Sequence, residues 1–594
     1  MVGAAAAVAQ ARAVVVQNLV PLPRREVVAA VVPFARGEVR GLPDLHVADR
    51  ATAWQPFGAR WPDGSLRQAL CLFAAEAPAL GELQLALEAG PGPELPGGAV
   101  PIPAFDLAIA CKRSGAEQHA HPVAIEVLEQ NALRTVELRR CRIGDSGLVA
   151  EVILTACRDQ AHVWADLAVF FSDPRTQAMQ LAVDEVAVET QGMALVCRSA
   201  NRFGIDQTTT ATGSRVVLLR TATLGDGQGI RRCGVLVPPL SGDTAVDTSS
   251  RAAGVAPLLA ATPWTASAAF GAFGFVPEPP PWLAGQGLRA HLAARHQRFA
   301  RDEAGRGGPF DLAPLLGARN ASQTGDQYDF GVVKLSLVAR SGLPSPLLEA
   351  EASVLQEACR PVHFFEATGA PVEPARHPEW IVWSGRTHWH DGQSPDRLGK
   401  PVPAPEFDAH GWTGKDRQHW SSNFLGAYAL LTGAHWARRE LQNEVRLYLS
   451  GQTLDPAKTT SNAGAPRGAG RTELAASWMW LATGDEALRA RMNERLDRVY
   501  AAQWAGRAGK DGTVRPFEVA DPDARMLQGR CRYWTPWQEA IAAVGFGAAY
   551  EVTGNAHARE LAEQLAMNCV RYGWKVTERE CIVATALRWQ DGGR

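Results

Sequence analysis

Lysine is scarce in this chain. It supplies seven of the 60 basic residues, so arginine carries almost all of the cationic chemistry. Arginine offers a planar fork that fits carboxylates better than an ammonium does. Net charge is also small, at −2, which gives no field to draw the chain to nucleic acid or to an anionic membrane. Tyrosine is thin, with 7 residues against 18 Trp. Indoles of that number serve as core and as platforms for sugar faces. The ten cysteines contain no CxxC pair and no metal-type spacing, and they read as small buried hydrophobes. No metal and no cofactor is implied. No apolar run reaches about 18 residues, which excludes a membrane-spanning helix of ordinary length. The opening MVGAAAAVAQARA has no basic stretch, so it does not read as a signal peptide, and localisation stays open.

What is present is a long chain of globular composition: 594 residues, 46% hydrophobic and 21% charged. That length predicts about two to four domains. From about residue 12 to 275 the sequence reads as β. Val14–Gln17, Val149–Cys157, His162–Phe171, Leu181–Val188 and Val216–Arg220 are β-branched or alternate in polarity. PGPELPGG near 91 and LGDGQG near 224 are turns. The expected class is multidomain α+β, with β-sandwich-type domains followed by an α/α toroid of helical hairpins, complete or partial. The expected boundaries are 1–110 for an N-terminal β-domain, 111–280 for a second sandwich-like layer, and 281–594 for the helical part.

The change of class falls at VPEPPPWL, residues 276–283. One pattern then recurs: an apolar helix, a glycine stop, and a second amphipathic helix. The stops are Gly342, Gly433, Gly484 and Gly554, each suited to the left-handed position that ends a helix. Repeated hairpins bury their faces by stacking on one another. The spacing predicts about ten helices, including unpaired ones near 288–303 and 576–589.

Topology then sorts the chemistry. The short glycine turns lie at one end of the hairpins, so the segments leading into each first helix lie at the other. Those segments are 322–329, 384–393 with 412–420, 459–472 and 528–538. They hold Arg, His, Trp, Tyr, Asn and Gln, as functional loops on a rigid scaffold do. Arg386, His388 and His390 alternate, so an extended segment faces all three to one side. They suit an anionic substrate, a base, or a metal that would need further ligands. His419 opens a helix with Asn423 on the same face and reads equally as a cap or core residue. Tyr533, Trp537 and Gln538 form either a packed aromatic cluster or a substrate edge. Arg467 and Arg471 sit in a Gly-rich loop, as binding or solvated groups.

The N-terminal segment carries a family likeness. Its residues are Asn18, Arg24, Pro33, Phe34, Gly37, Gln55, then Trp61-Pro62-Asp63-Gly64-Ser65 and Arg67, followed by a buried strand. This resembles the opening β-domain of the exo-acting rhamnogalacturonan lyase type, YetA-like proteins among them. HWSSNFLGAYALLTG at 419–433 is similar to the His-containing helix of those enzymes. Gln68 departs from the family pattern, where Trp is expected.

The likeness implies a polysaccharide lyase acting on a uronic-acid glycan by β-elimination, with a polysaccharide or oligosaccharide as partner and neither nucleic acid nor membrane. In that scheme Arg386 and Arg471 hold the carboxylate, His388 or His419 takes the proton, and Tyr533 protonates the leaving oxygen. Tyr328, Trp389, Trp420, Asn423, Arg467, Trp537 and Gln538 would bind sugar. Two alternatives stay open: a glycoside hydrolase on the same helical scaffold, using two carboxylates, and a non-catalytic glycan-binding surface protein.

Overall fold

The computed structural model describes residues 12–172, 180–197, 207–209, 212–225, 227–238, 256–264, 330–357, 362–366, 381–383, 386–388, 420, 422–452, 454, 466–501, 519–520, 532–534, 536–576, 581–583 and 587–588. The fold is mixed α and β, with antiparallel sheets throughout. The first six strands are β1 (Ala13–Gln17), β2 (Arg24–Pro33), β3 (Leu45–Val47), β4 (Thr52–Pro56), β5 (Gln68–Ala77) and β6 (Glu82–Ala89). The next are β7 (Asp106–Arg113), β8 (Ala116–Ala120), β9 (Val123–Gln130), β10 (Arg134–Arg142), β11 (Leu148–Cys157) and β12 (Val163–Phe171). They are followed by β13 (Gln180–Gln191), β14 (Ala194–Cys197), β15 (Gln207–Thr209), β16 (Gly213–Gly225), β17 (Gly229–Val237) and β18 (Leu259–Ala261).

These strands make two sandwiches. The first packs a four-stranded sheet, β18-β1-β6-β3, on a three-stranded one, β2-β5-β4. Its interior is Val14, Val28, Val32, Phe34, Cys71 and Phe73. The second packs a six-stranded sheet, β14-β17-β12-β11-β10-β9, on a five-stranded one, β15-β16-β13-β7-β8. Ile109, Val152, Leu167, Val186 and Val216 fill it. Strand β7 crosses the boundary expected at 110 and belongs to the second sandwich, and β18 returns to pair with β1 of the first. The intervening sequence alternates in the same way on both sides of that boundary, so no local signal marks it.

One sheet of each sandwich is covered on both faces. Strand β5 reads QALCLFAAEA because Cys71 and Phe73 face its own sandwich while Leu70 and Leu72 face helices. A strand buried on both sides loses its alternation and becomes a near-continuous apolar run.

The helices are α1 (Phe330–Ser341), α2 (Ser345–Glu357), α3 (Asn423–Thr432), α4 (His435–Gly451), α5 (Pro466–Thr483), α6 (Glu486–Arg495), α7 (Pro536–Thr553) and α8 (Ala556–Tyr572). A π-helical turn, Leu496–Tyr500, continues α6. The four expected glycine stops are all left-handed, with φ of 68° at Gly342, 66° at Gly433, 68° at Gly484 and 72° at Gly554. They divide the helices into four hairpins, which stack in chain order, first helix on first helix. Among the described residues the result is a row of four hairpins, not a closed ring of six.

One sequence expectation is corrected. Among the described residues of 576–589 there is no helix: β23 (Trp574–Val576), β24 (Cys581–Val583) and β25 (Leu587–Arg588) are strands, as β-branched residues such as Ile582 and Val583 favour. Shorter strands, β19 (Ile381–Trp383), β20 (Arg386–His388), β21 (Val519–Ala520) and β22 (Arg532–Trp534), lie in the lead-in segments. The expected helix near 288–303 lies outside the described residues.

The family-like motif ties the first sandwich together and joins it to the helices. Trp61 Nε1 donates to the Phe34 carbonyl at 3.1 Å, and the Ser65 hydroxyl donates to Asp63 at 2.6 Å. Arg67 is buried between the rings of Trp61 and Trp480, at 4.0 and 5.7 Å, and burial pushes its pKa down to about 10.

Candidate functional site

The ends of the hairpins differ in what they meet. A Cβ placed on Gly433 would lie 2.5 Å from Leu70, and one on Gly484 would lie 3.0 Å from the Gly58 carbonyl. A Cβ on Gly342 would lie 2.9 Å from Pro263. The amide of Ala59 also donates to the Leu481 carbonyl at 2.9 Å. The glycine turns of the first three hairpins are therefore seated on the first sandwich, while Gly554 of the fourth meets nothing within 4 Å. The opposite end, where α3, α5 and α7 begin, is the rim that the sequence fills with polar and aromatic residues.

The flank of the stack rests on the second sandwich through α4. His435 contacts Glu129 of β9 at 3.0 Å, and Arg439 donates to Glu151 of β11 at 2.9 Å. Glu440 accepts from Arg231 of β17 at 2.9 Å and contacts His363 at 2.5 Å. Arg134 and His435 hold the Glu129 carboxyl down at about 2 against the penalty of its burial. Arg439 and Arg140 do the same for Glu151.

At the rim, Arg467 and Arg471 do not lie in a loop. Helix α5 starts at Pro466 and contains both. Proline suits a first helical position, since the missing N–H would be unpaired there anyway. Gly470, one of the glycines that made this stretch read as a loop, serves packing instead. A Cβ on Gly470 would lie 2.3 Å from Ala542 Cα, and one on Gly545 would lie 1.9 Å from the Gly470 carbonyl. This close crossing of α5 and α7 brings Arg467 over the Trp537 ring, 5.1 Å from its centroid. Trp537 is 38% exposed, so its other side is open. Next to it Gln538 is buried, and its Oε1 has no hydrogen-bond partner among the described residues. Arg471 is buried one turn further along α5.

Beneath this surface the second, third and fourth hairpins each carry a buried carboxylate. Glu444 of α4 accepts from Ser422 and, at 3.2 Å, from Trp420 Nε1. Trp420 is 3% exposed and packs on Tyr448 with ring centroids 6.3 Å apart. Its indole belongs to the core, which corrects the expectation of a sugar platform. Asn423, the first residue of α3, is likewise buried. Glu473 of α5 accepts from Tyr448 at 3.0 Å, Tyr500 at 3.1 Å and Arg495 Nε at 3.3 Å. Burial pushes the Glu473 carboxyl above its usual range, while Arg495 draws it back. Burial likewise pushes the Tyr448 hydroxyl well up, with the charge of Glu473 adding to it. Glu539 of α7 accepts from Asn568 at 3.3 Å and lies in the first turn, at the positive end of the helix dipole.

Sequence reasoning named Trp537, Gln538, Arg467 and Arg471, and α5 and α7 bring these four to one region. It missed the tyrosines and Arg495 around Glu473. The one available signal was a tyrosine near the C-terminal end of the second helix in three hairpins, Tyr448, Tyr500 and Tyr572. Arg386 and His388 pair across a short β-hairpin with Trp383 and Ile381, and Tyr533 lies in β22 opposite Val519. Tyr328, Trp389 and His419 lie outside the described residues.

No protein family matches the chain, and neither does any curated protein. Among solved structures it is similar to a protein in the glycosyl hydrolase family 38 from Enterococcus faecalis, at 11% identity and a TM-score of 0.26, over 42% of this chain and 47% of that one. It is also similar to an alpha-mannosidase from Enterococcus faecalis V583, at 12% identity and a TM-score of 0.24, over 42% of this chain and 46% of that one. The match spans about half the length of each of those proteins. Among the described residues no helix is long and apolar enough to cross a membrane.

Proposed function

We propose that this protein acts on a glycan laid along the open rim, and that it cleaves by hydrolysis. The observation that carries the reading is the crossing of α5 and α7. It puts an arginine-backed indole, Arg467 on Trp537, and the Gln538 oxygen, which has no hydrogen-bond partner among the described residues, on the two neighbouring helices that also carry the buried carboxylates Glu473 and Glu539. An aromatic face with planar polar groups at its edge suits a sugar ring. Hydrolysis of a glycoside uses two carboxyl groups, one of them held protonated. Burial moves Glu473 in that direction. The roles assigned are acid for Glu473, base or nucleophile for Glu539, and platform for Trp537.

Elimination on a uronate is the competing chemistry, and it would draw on Arg386, His388, His419 and Tyr533. Incubation with a panel of neutral and uronic polysaccharides separates the two. New reducing ends without near-ultraviolet absorbance support hydrolysis. An absorbing, unsaturated product overturns it in favour of the lyase. Binding without either product makes the rim a lectin-like surface. Glu539→Gln should abolish turnover while glycan binding persists.

A further inference from the structure

We infer that two copies of this chain pair across a two-fold axis through the outer face of α7, at the end of the hairpin row, which goes beyond the glycan reading of the rim. A row of stacked repeats needs a polar outer face on its last member to stay soluble. This row ends differently. Among the described residues, six of the twelve large hydrophobics left exposed fall on the last hairpin and the strand after it: Trp537, Val544, Tyr550, Met567, Val570 and Trp574. Apolar surface is thus gathered at one end of the stack, as at a contact surface. Helix α7 reads PWQEAIAAVGFGAAYEVT, and its only charged residues are Glu539, which is buried, and Glu551 near its end.

The spacing along α7 names the occupant. Ala542 and Gly545 face α5. The opposite side of the helix carries Trp537, Ala540, Val544 and Gly547, three, four and three residues apart, which is the seam spacing of a helix that pairs with another. Trp537, Ala540 and Val544 are exposed and Gly547 is half-buried. In size this seam runs large, small, large, small. Laid antiparallel on its own copy about an axis beside Ala542, it sets Trp537 on Gly547 of the second copy and Ala540 on Val544 of the second copy. Every large side chain then meets a small one. Such a contact uses one patch on both chains and closes as a dimer. The antiparallel run also holds the two Glu551 carboxylates at opposite ends of the seam, whereas a parallel run would bring these like charges together. Gly547 points the same way. Gly545 is required inside the chain, since a Cβ there would lie 1.9 Å from the Gly470 carbonyl. A Cβ on Gly547 would meet nothing nearer than Ala562 at 4.0 Å. No internal contact asks for a glycine at 547, where it disfavours the helix, and the hollow it leaves receives the indole of the second copy. The seam takes the open side of Trp537, so the dimer and a rim-bound glycan exclude one another.

The test is sedimentation equilibrium of the full-length protein over a range of micromolar concentrations. Twice the chain mass of 63.8 kDa is the expected result. Gly547→Leu fills the hollow with little contact to its own chain and should weaken the dimer by about tenfold or more. Adding Trp537→Ala to it returns one large and one small member to each pair and should restore the dimer, as the antiparallel register requires. If Gly547→Leu does not fold, Val544→Lys, at a position 50% exposed, takes its place and should give the monomer. The inference is overturned if the parent sediments as a monomer throughout, if the folded Gly547→Leu or Val544→Lys protein dimerises like the parent, or if Trp537→Ala fails to rescue Gly547→Leu. No glycan is present in the measurement, so its outcome is independent of whether the rim cleaves one.

Discussion

The attached sides of the helical stack and its open rim are built from the same helices by opposite means. Against the first sandwich the contacts are glycine backbone, Leu70 and stacked Arg67, with side chains kept out of the way. Against the second, α4 uses buried ion pairs to Glu129, Glu151 and Arg231. At the rim the Trp537 ring is open to solvent, and the Gln538 Oε1 beside it has no hydrogen-bond partner among the described residues. The lesson is that rigidity is concentrated where the helices meet the sheets, which leaves rim residues such as Trp537 little structural duty.

That contrast can be broken most directly at the α4 attachment. Glu440→Leu leaves Arg231 buried without its carboxylate, which should cost about 3–5 kcal/mol. Chemical denaturation would measure it, and a loss under about 1 kcal/mol would mean that the ion pair does not anchor the stack. Next in size is Gly545→Val. Its side chain must displace the Gly470 backbone, so about 1–3 kcal/mol should be lost, with glycan binding reduced as Arg467 and Trp537 move apart.

Acid should loosen the β-side attachments before it affects the rim. Burial lowers His162 to about 4, so the folded state resists a proton that the unfolded chain accepts. Stability contributed this way is full above the ordinary histidine range near 6.5 and falls as pH drops toward 4, by about 2 kcal/mol at pH 5. Glu129, held at about 2, adds a loss between its ordinary pKa of 4.5 and that value. A melting series should therefore fall below pH 6.5, and His162→Phe should flatten the first part of the decline. The smallest stability effect belongs to the rim. Trp537→Ala should change stability by under about 0.5 kcal/mol yet weaken glycan binding about tenfold. Equal losses in both would erase the distinction between attachment and rim.

Much of the scaffold was legible in the sequence because it rests on local rules. A left-handed glycine after an apolar run declares a helix end at four places, and Pro62-Asp63-Gly64 declares its turn. What could not be read depends on partners far away in the chain. Glu440 meets Arg231 across 209 residues, and Arg439 meets Glu151 across 288. Trp420 and Trp537 are equivalent as letters, yet the first is sealed under Glu444 and the second is open. Gly470 of α5 misled for the same reason. It makes room for Ala542 and Gly545 on another helix, while locally it reads as part of a loop.

The π turn after α6 has a consequence for how the Glu473 cluster is counted out along the chain. In a regular α-helix, side chains five residues apart point away from each other, at 3.6 residues per turn. Widening the turn to an i→i+5 bond returns the fifth residue to the same side. Arg495 and Tyr500 are spaced in this way, and the Arg495 guanidinium reaches the Tyr500 hydroxyl at 2.8 Å. The cluster is thus a matter of register. Relaxing Leu496–Tyr500 to an ordinary α-helix with no residue removed would rotate the Tyr500 hydroxyl away from the carboxylate it serves, whereas deleting one residue of the turn would leave the tyrosine four residues from Arg495 and on the same side.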